Sequence, residues 1–181
     1  MVNFRSLDPA DLEREIERVH GLVAVDLTEP YTVAIYLYFL KNWPQLAIFA
    51  YDTDPENVVG CIVGSLRAHQ NRLARGYIAM LAVSEAWRGR GIAKQLVSTQ
   101  IDAFRKLGAD EVTLEAETSN GAAVALYESQ GFLRTRRMHH YYLVMQDAYR
   151  LALPLTERAL RPLVFLPPLT PERLRELAEP V

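Results

Sequence analysis

Behind Asp8-Pro9, the apolar residues Leu12, Ile16, Val19 and Val23 recur every three or four positions. That spacing predicts a helix over 9–26, with the aspartate as its N-cap and the proline at its first position. Glu29-Pro30 breaks the pattern, and a second helix is expected over 31–42. After Trp43-Pro44 the period changes. Residues 45–51 and 58–66 read as apolar strands joined by a turn at Asp52-Thr53-Asp54-Pro55-Glu56-Asn57, so with a short strand ahead of the first helix the order opens β, α, α, β, β. A strand over 77–83, a helix over 92–107 stopped by Gly108, a strand over 111–117 and a helix over 121–130 stopped by Gly131 come next. Strands over 132–138 and 147–153 then flank a loop that carries Tyr141-Tyr142. Alternation in Val-Thr-Leu-Glu-Ala-Glu-Thr puts Val112, Leu114 and Ala116 on one face and Thr113, Glu115 and Glu117 on the other. The whole reads as a mixed α/β chain.

The last stretch differs in kind. Pro154, Pro162, Pro167, Pro168, Pro171 and Pro180 fall among scattered leucines, a spacing that supports no compact unit of its own. We therefore divide the chain into a domain over 1–154 and a proline-rich extension over 155–181, either a loose tail or an arm that lies on a partner, with Thr170-Pro171 able to start a terminal helix.

Composition narrows the class. With 181 residues, 50% hydrophobic and 23% charged, the chain suits one globular domain plus an appendage. A formal net charge of -2 argues against direct nucleic-acid recognition, although Arg134, Arg136 and Arg137 make a local basic run. The single cysteine, Cys61, allows no internal disulfide and is expected to pack within its strand, and the four histidines lack ligand spacing, so an intracellular, metal-free protein is expected. His139 and His140, as neighbours, would diverge on a strand. The start lacks a basic stretch followed by an apolar one, so no secretory signal is expected. Asp26, Glu29 and Pro30 interrupt the lipophilic region 22–40 well short of the roughly 20 apolar residues of a membrane span.

The chemistry concentrates in Arg88-Gly89-Arg90-Gly91-Ile92-Ala93. Two glycines between an apolar strand and a helix let successive backbone N–H groups face oxygen anions at the positive helix end, and two arginines add charge. A pyrophosphate-bearing ligand is the first expectation. A dinucleotide fingerprint is the rival, since Gly89-x-Gly91 follows a strand, but Lys94 replaces its third glycine and the hairpins depart from repeated βαβ units.

Arg-Gly-Arg-Gly-Ile-Ala resembles the coenzyme A pyrophosphate motif of the GNAT acetyltransferase superfamily. The segments EPYTVAIYLYFLKNWPQL, RGYIAMLAVSEAWRGRGIAKQLV, LEAETSNGAAVALYESQGF and HHYYL, spread over about residues 2–155, resemble the catalytic subunits of NatC-type N-terminal acetyltransferases. Ala116, Ser119, Gly121 and His140 depart from that pattern. The resemblance implies a GNAT fold, a sheet of about seven strands splayed between the fourth and fifth and flanked by about four helices. It implies acetyl-CoA as cosubstrate, held by Arg88, Gly89, Arg90, Gly91, Ala93, Asn120 and the backbone of Leu81 and Val83. Glu115 matches the general base, acting through water, and Tyr127 the general acid, seven residues and two turns beyond Asn120. Leu27, Glu29, Pro30, Tyr31, Glu117, Tyr141 and Tyr142 would line the peptide groove. The implied substrates are nascent polypeptide N-termini that keep Met before Leu, Ile or Phe. The implied partners are a large auxiliary scaffold subunit and a small Sm-like subunit near the ribosome, in the cytoplasm and without a membrane.

Read without that resemblance, Glu115 and Glu117 are as easily exposed edge charges, Tyr127 a core residue, and EPY and YY a helix start and a strand end. Two other functions stay open at this point: a different GNAT amine acetyltransferase acting on a small amine or lysine, and a noncatalytic acyl-CoA-binding subunit.

Overall fold

A computed structural model describes residues 2–7, 12–26, 31–54, 57–68 and 73–160. Its elements are β1 (Asn3–Ser6), α1 (Leu12–Asp26), α2 (Val33–Asn42), β2 (Ala47–Tyr51), β3 (Val58–Arg67), β4 (Arg75–Val83), α3 (Ile92–Lys106), β5 (Glu111–Glu117), α4 (Gly121–Ser129), β6 (Leu133–Met138) and β7 (Ala148–Pro154). The strands join in one mixed sheet of order β1-β2-β3-β4-β5-β7-β6. The expected strand start at Gln45 is corrected: Pro44–Leu46 is a 3-10 turn closed by Leu46 N–H on Trp43 O at 2.9 Å. Proline's fixed φ suits that turn better than an extended strand start. The helix start at Asp8-Pro9 lies outside the described residues.

Strand alternation sends the sheet's side chains into two cores. Phe49, Cys61, Val63 and Met80 pack with Ile16, Val23, Tyr36 and Leu40 of α1 and α2. Ile48, Ile62, Ile78, Val112, Leu114 and Leu151 pack with Leu96, Val97, Ile101 and Phe104 of α3 and with Val124 and Tyr127 of α4. Burying a side chain of this size contributes about 1.5–3 kcal/mol. Phe104 lies so close to β4 that a Cβ on Gly76 would sit 2.7 Å from its ring, and one on Gly64 would sit 2.7 Å from Tyr77 O. Glycine at these two positions is what lets α3 reach the sheet.

Between β4 and β5 the sheet opens. They pair in parallel only at Arg75↔Glu111, Gly76↔Val112 and Tyr77↔Thr113. Immediately beyond, the β3–β4 register shifts, with Ile78 opposite Gly64 and Met80 opposite Val63. The bulge at Ala79 adds local twist and turns the rest of β4 away from β5. The expected splay between the fourth and fifth strands is therefore present and has a local cause.

Asp110 fastens the base of this opening. Its carboxylate accepts the Ala74 N–H at 2.9 Å and the Thr156 hydroxyl at 2.8 Å, which holds it below the usual carboxylate range. Its carbonyl accepts Leu155 N–H, Leu155 packs against the core, and Ala159 is buried in a 3-10 turn over Glu157–Ala159. The packed unit thus extends past 154 through that turn, and the rest of the proline-rich extension, 161–181, lies outside the described residues. Among the described residues, no helix is long and apolar enough to cross a membrane.

Candidate active site

The glycine-rich turn sits beside the opening, at the mouth of α3. Gly89 and Gly91 have φ of 74° and 78°, the left-handed region, and an added Cβ at either would meet open space. Backbone conformation, not crowding, therefore demands glycine here. Gly91 is the N-cap of α3 without a side-chain cap, and the first helical bond runs from Gln95 N–H to Gly91 O at 3.0 Å. The N–H groups of Ile92, Ala93 and Lys94 consequently have no intrahelical acceptor and form, with the helix dipole, a cradle for oxygen anions. Arg90 stacks its guanidinium 4.6 Å above the Trp87 ring and donates to Ala86 O, while Arg88 Nε donates to Val83 O at 3.1 Å. Both arginines thereby brace the turn, and this donor set fits a coenzyme pyrophosphate.

The opening itself presents backbone. Ser84 N–H bonds Val59 O. In an antiparallel ladder the next residues alternate, so the backbone groups of Val83 and Leu81 point away from β3, with the Val83 carbonyl engaged by Arg88 and those of Leu81 facing the gap. That orientation suits the expected contacts from Leu81 and Val83.

A cavity of about 420 Å³ fills the gap, and Tyr31, Tyr77, Leu81, Glu115, Glu117, Asn120, Tyr127, Tyr141 and Tyr142 are among its lining residues. Glu115 is no edge charge, because β5 lies between β4 and β7. Its side chain is 6% exposed, with Oε1 accepting Arg150 Nε and Oε2 accepting the Tyr77 hydroxyl, each at 2.8 Å. Glu117 takes the Ser119 hydroxyl on Oε2 at 3.0 Å, while its Oε1 is buried with no hydrogen-bond partner. Opposite, Tyr127 packs edge-on against Phe132 and reaches the cavity from α4. Burial, with a smaller contribution from nearby Tyr142, raises its phenol well above the ordinary value and keeps it protonated. Core residue and cavity residue are here one residue. Asn120 faces the same cavity, but its side chain also caps α4, accepting Ala123 N–H at 3.0 Å.

The far wall is the β6–β7 loop. His139 and His140 do not diverge on a strand: they form a turn, with His140 at φ 49°. Asp147 gathers it, accepting His140 N–H at 2.9 Å, Arg137 at 2.8 Å and His139 Nδ1 at 3.2 Å. Tyr141 and Tyr142 N–H both reach Gln146 O, and their rings meet edge-on at 5.1 Å. The basic run is largely spent on such contacts, since Arg134 pairs with Glu128 and lies over Tyr149. Tyr31 closes the cavity from the start of α2, whereas Leu27, Glu29 and Pro30 lie outside the described residues.

The structure adds four residues the sequence reading passed over: Tyr77, Trp87, Asp147 and Arg150. Tyr77 stood in a recognised strand, and its place beside Glu115 depends on a pairing 38 residues apart. No local signal marks Arg150. Among the described residues, no group of three His, Cys, Asp or Glu side chains is placed to hold a metal ion.

Residues 16–132 match the Acetyltransferase (GNAT) family. The match spans more than half of the chain, and the chain belongs to that family. Within it, the chain stands with the N-alpha-acetyltransferases. It is 44% identical over 163 residues to N-alpha-acetyltransferase 30 of Saccharomyces cerevisiae, covering 87% of this chain and 93% of that protein. It is 46% identical over 141 residues to N-alpha-acetyltransferase MAK3 of Arabidopsis thaliana, covering 78% and 73%. Among solved structures, the crystal structure of the NatC complex bound to Gag peptide and CoA contains a chain that matches with a TM-score of 0.82 at 44% identity, covering 86% of this chain and 99% of that one.

Proposed function

We propose that this chain is the catalytic subunit of a NatC-type enzyme, moving an acetyl group from acetyl-CoA to the α-amino group of proteins that begin Met-Leu, Met-Ile or Met-Phe. One observation carries the reading: a carboxylate and a protonated phenol, Glu115 and Tyr127, share one cavity at the split between β4 and β5, beside an anion cradle.

Acetyl-CoA, when bound, supplies a thioester activated toward amines. The N–H groups of residues 92–94, with Arg88 and Arg90 at the turn, hold its phosphate oxygens, and peptide groups of Leu81 and Val83 in the gap orient the acyl arm. An α-amino group has a pKa of roughly 7.7–8.0, so only a modest base is required to free its lone pair. Glu115 takes that proton through a water, Tyr127 O–H gives its own to the departing sulfur, and the second nitrogen proton, lost as the amide forms, returns through water to restore the phenol. No covalent enzyme intermediate is required. Tyr31, Tyr141 and Tyr142 provide aromatic walls for the apolar second residue, with Glu117 in the same cavity.

The likeness to a chain of the NatC complex supports assembly with a scaffold subunit. A small Sm-like subunit, work near the ribosome in the cytoplasm, and docking through 155–181 belong to the same proposal. The test is a panel of peptides beginning Met-Leu, Met-Glu and Ser-Glu, plus a lysine peptide blocked at its N-terminus, assayed by thiol release with and without candidate scaffold subunits. Preference for Met-Leu is expected. Preference for any other peptide would move the chain to another branch, and acetyl-CoA binding without turnover in the assembled complex would make it a noncatalytic subunit.

A further inference from the structure

Glu115 belongs to a row of charges that runs across the C-terminal half of the sheet. In the strand registers, Glu115 of β5 stands opposite Arg150 of β7, and Arg150 stands opposite Arg136 of β6. We infer that Arg150 is a positioning residue that aims the Glu115 carboxylate at the reacting amine, an inference that rests on Glu115 being the base.

The geometry separates the two roles. Arg150 does not line the cavity; its contact is Nε to Glu115 Oε1 at 2.8 Å, from behind. Tyr77 holds the other oxygen at 2.8 Å. With one donor on each oxygen, the terminal torsion of the carboxylate, normally broad, has a single orientation, and each oxygen keeps a second lone pair for a further donor. The Arg150 backbone is held in turn: its carbonyl accepts the Thr135 hydroxyl at 3.1 Å, at a register shift in β6. The like charge of Arg136 on its other flank disfavours a swing away from Glu115. The pair is also asymmetric in burial, 42% exposed for the arginine side chain against 6% for the glutamate. An exposed pair would contribute little, but removing the partner of a buried carboxylate leaves that charge uncompensated, held by Tyr77 alone.

The experiment is a double-mutant cycle on the full chain in its active assembly: wild type, Arg150→Gln, Glu115→Gln and both together, with Arg150→Lys as the conservative variant. We expect Arg150→Gln to lower kcat at least about tenfold while KM for peptide and acetyl-CoA stays within about twofold. In the Glu115→Gln background the second substitution is expected to add nothing. Arg150→Lys, which keeps the charge, is expected to restore part of the loss. Near-normal kcat in Arg150→Gln, or losses that multiply in the double variant, overturns the inference and leaves the base assignment intact. Near-normal kcat in Glu115→Gln removes the base assignment itself, and this inference with it. Thermal melts accompany every variant. Should Arg150→Gln fail to fold, the lysine variant decides: a loss seen with Glu115 present and absent in the Glu115→Gln background supports the role, and equal losses in both overturn it.

Discussion

Tyr127 illustrates how one side chain serves packing and chemistry together. Its ring is part of the α4 core, and the burial that stabilises it also keeps its proton in place. The sign is simple: a phenol donates only while protonated, and burial, then Tyr142, moves its titration upward. If Tyr127 is the acid, kcat should show no falling limb on its account up to about pH 10, the ordinary tyrosine value. Tyr127→Phe keeps the packing and should lower turnover at least about tenfold with an unchanged melting temperature. A pH–rate profile of both forms checks this, and equal turnover would strip Tyr127 of the role. At this scale the sequence was legible where the information is local. Gly89 and Gly91 announce a backbone turn before a helix, and alternation in β5 placed Glu115 and Glu117 on one face. Arg150 was illegible because its bond to Glu115 spans 35 residues and depends on strand register, which neither residue's neighbours encode.

Elements rather than residues make the groove. The β6–β7 loop holds Tyr141 and Tyr142 in place because Asp147 draws donors from three residues, Arg137, His139 and His140, onto its two oxygens. His140 N–H, first, and Arg137 hold that carboxylate below the usual range. The clasp is therefore complete above roughly pH 4 and is lost as pH falls through the lowered value of the folded protein. Asp147→Asn removes the charge that binds Arg137, and it should raise the peptide KM about threefold or more while leaving the KM for acetyl-CoA unchanged. Steady-state kinetics with each substrate varied in turn would show it; an unchanged peptide KM would detach the loop from recognition. Most strands and helices could be placed from period and punctuation. The errors sit at Pro44, where a 3-10 turn replaces the first strand residues, and at His139-His140, where a non-glycine residue takes a positive φ that its side chain does not advertise. Both are boundary features decided by tertiary packing and hydrogen bonding.

For the molecule as a whole, the sequence announced a mixed α/β chain, but not that β7 would lie between β5 and β6. The split came from family likeness, and its cause, a bulge at Ala79, emerges only from the β3–β4 pairing. That split has a thermodynamic corollary. Three rungs of parallel pairing join the four N-terminal strands to the three C-terminal ones, so much of the hydrogen bonding that usually knits neighbouring strands is missing along this seam. A cosubstrate laid against Leu81 would act as a surrogate strand, mending the sheet from outside in the manner of β-augmentation. Hydrogen–deuterium exchange should therefore find the Leu81 amide labile in the empty enzyme and protected when acetyl-CoA is added, with β3 amides unchanged; equal lability in both states would mean that the seam stays open. On this view occupancy completes the architecture, and the protein is most fully folded when it is ready to react.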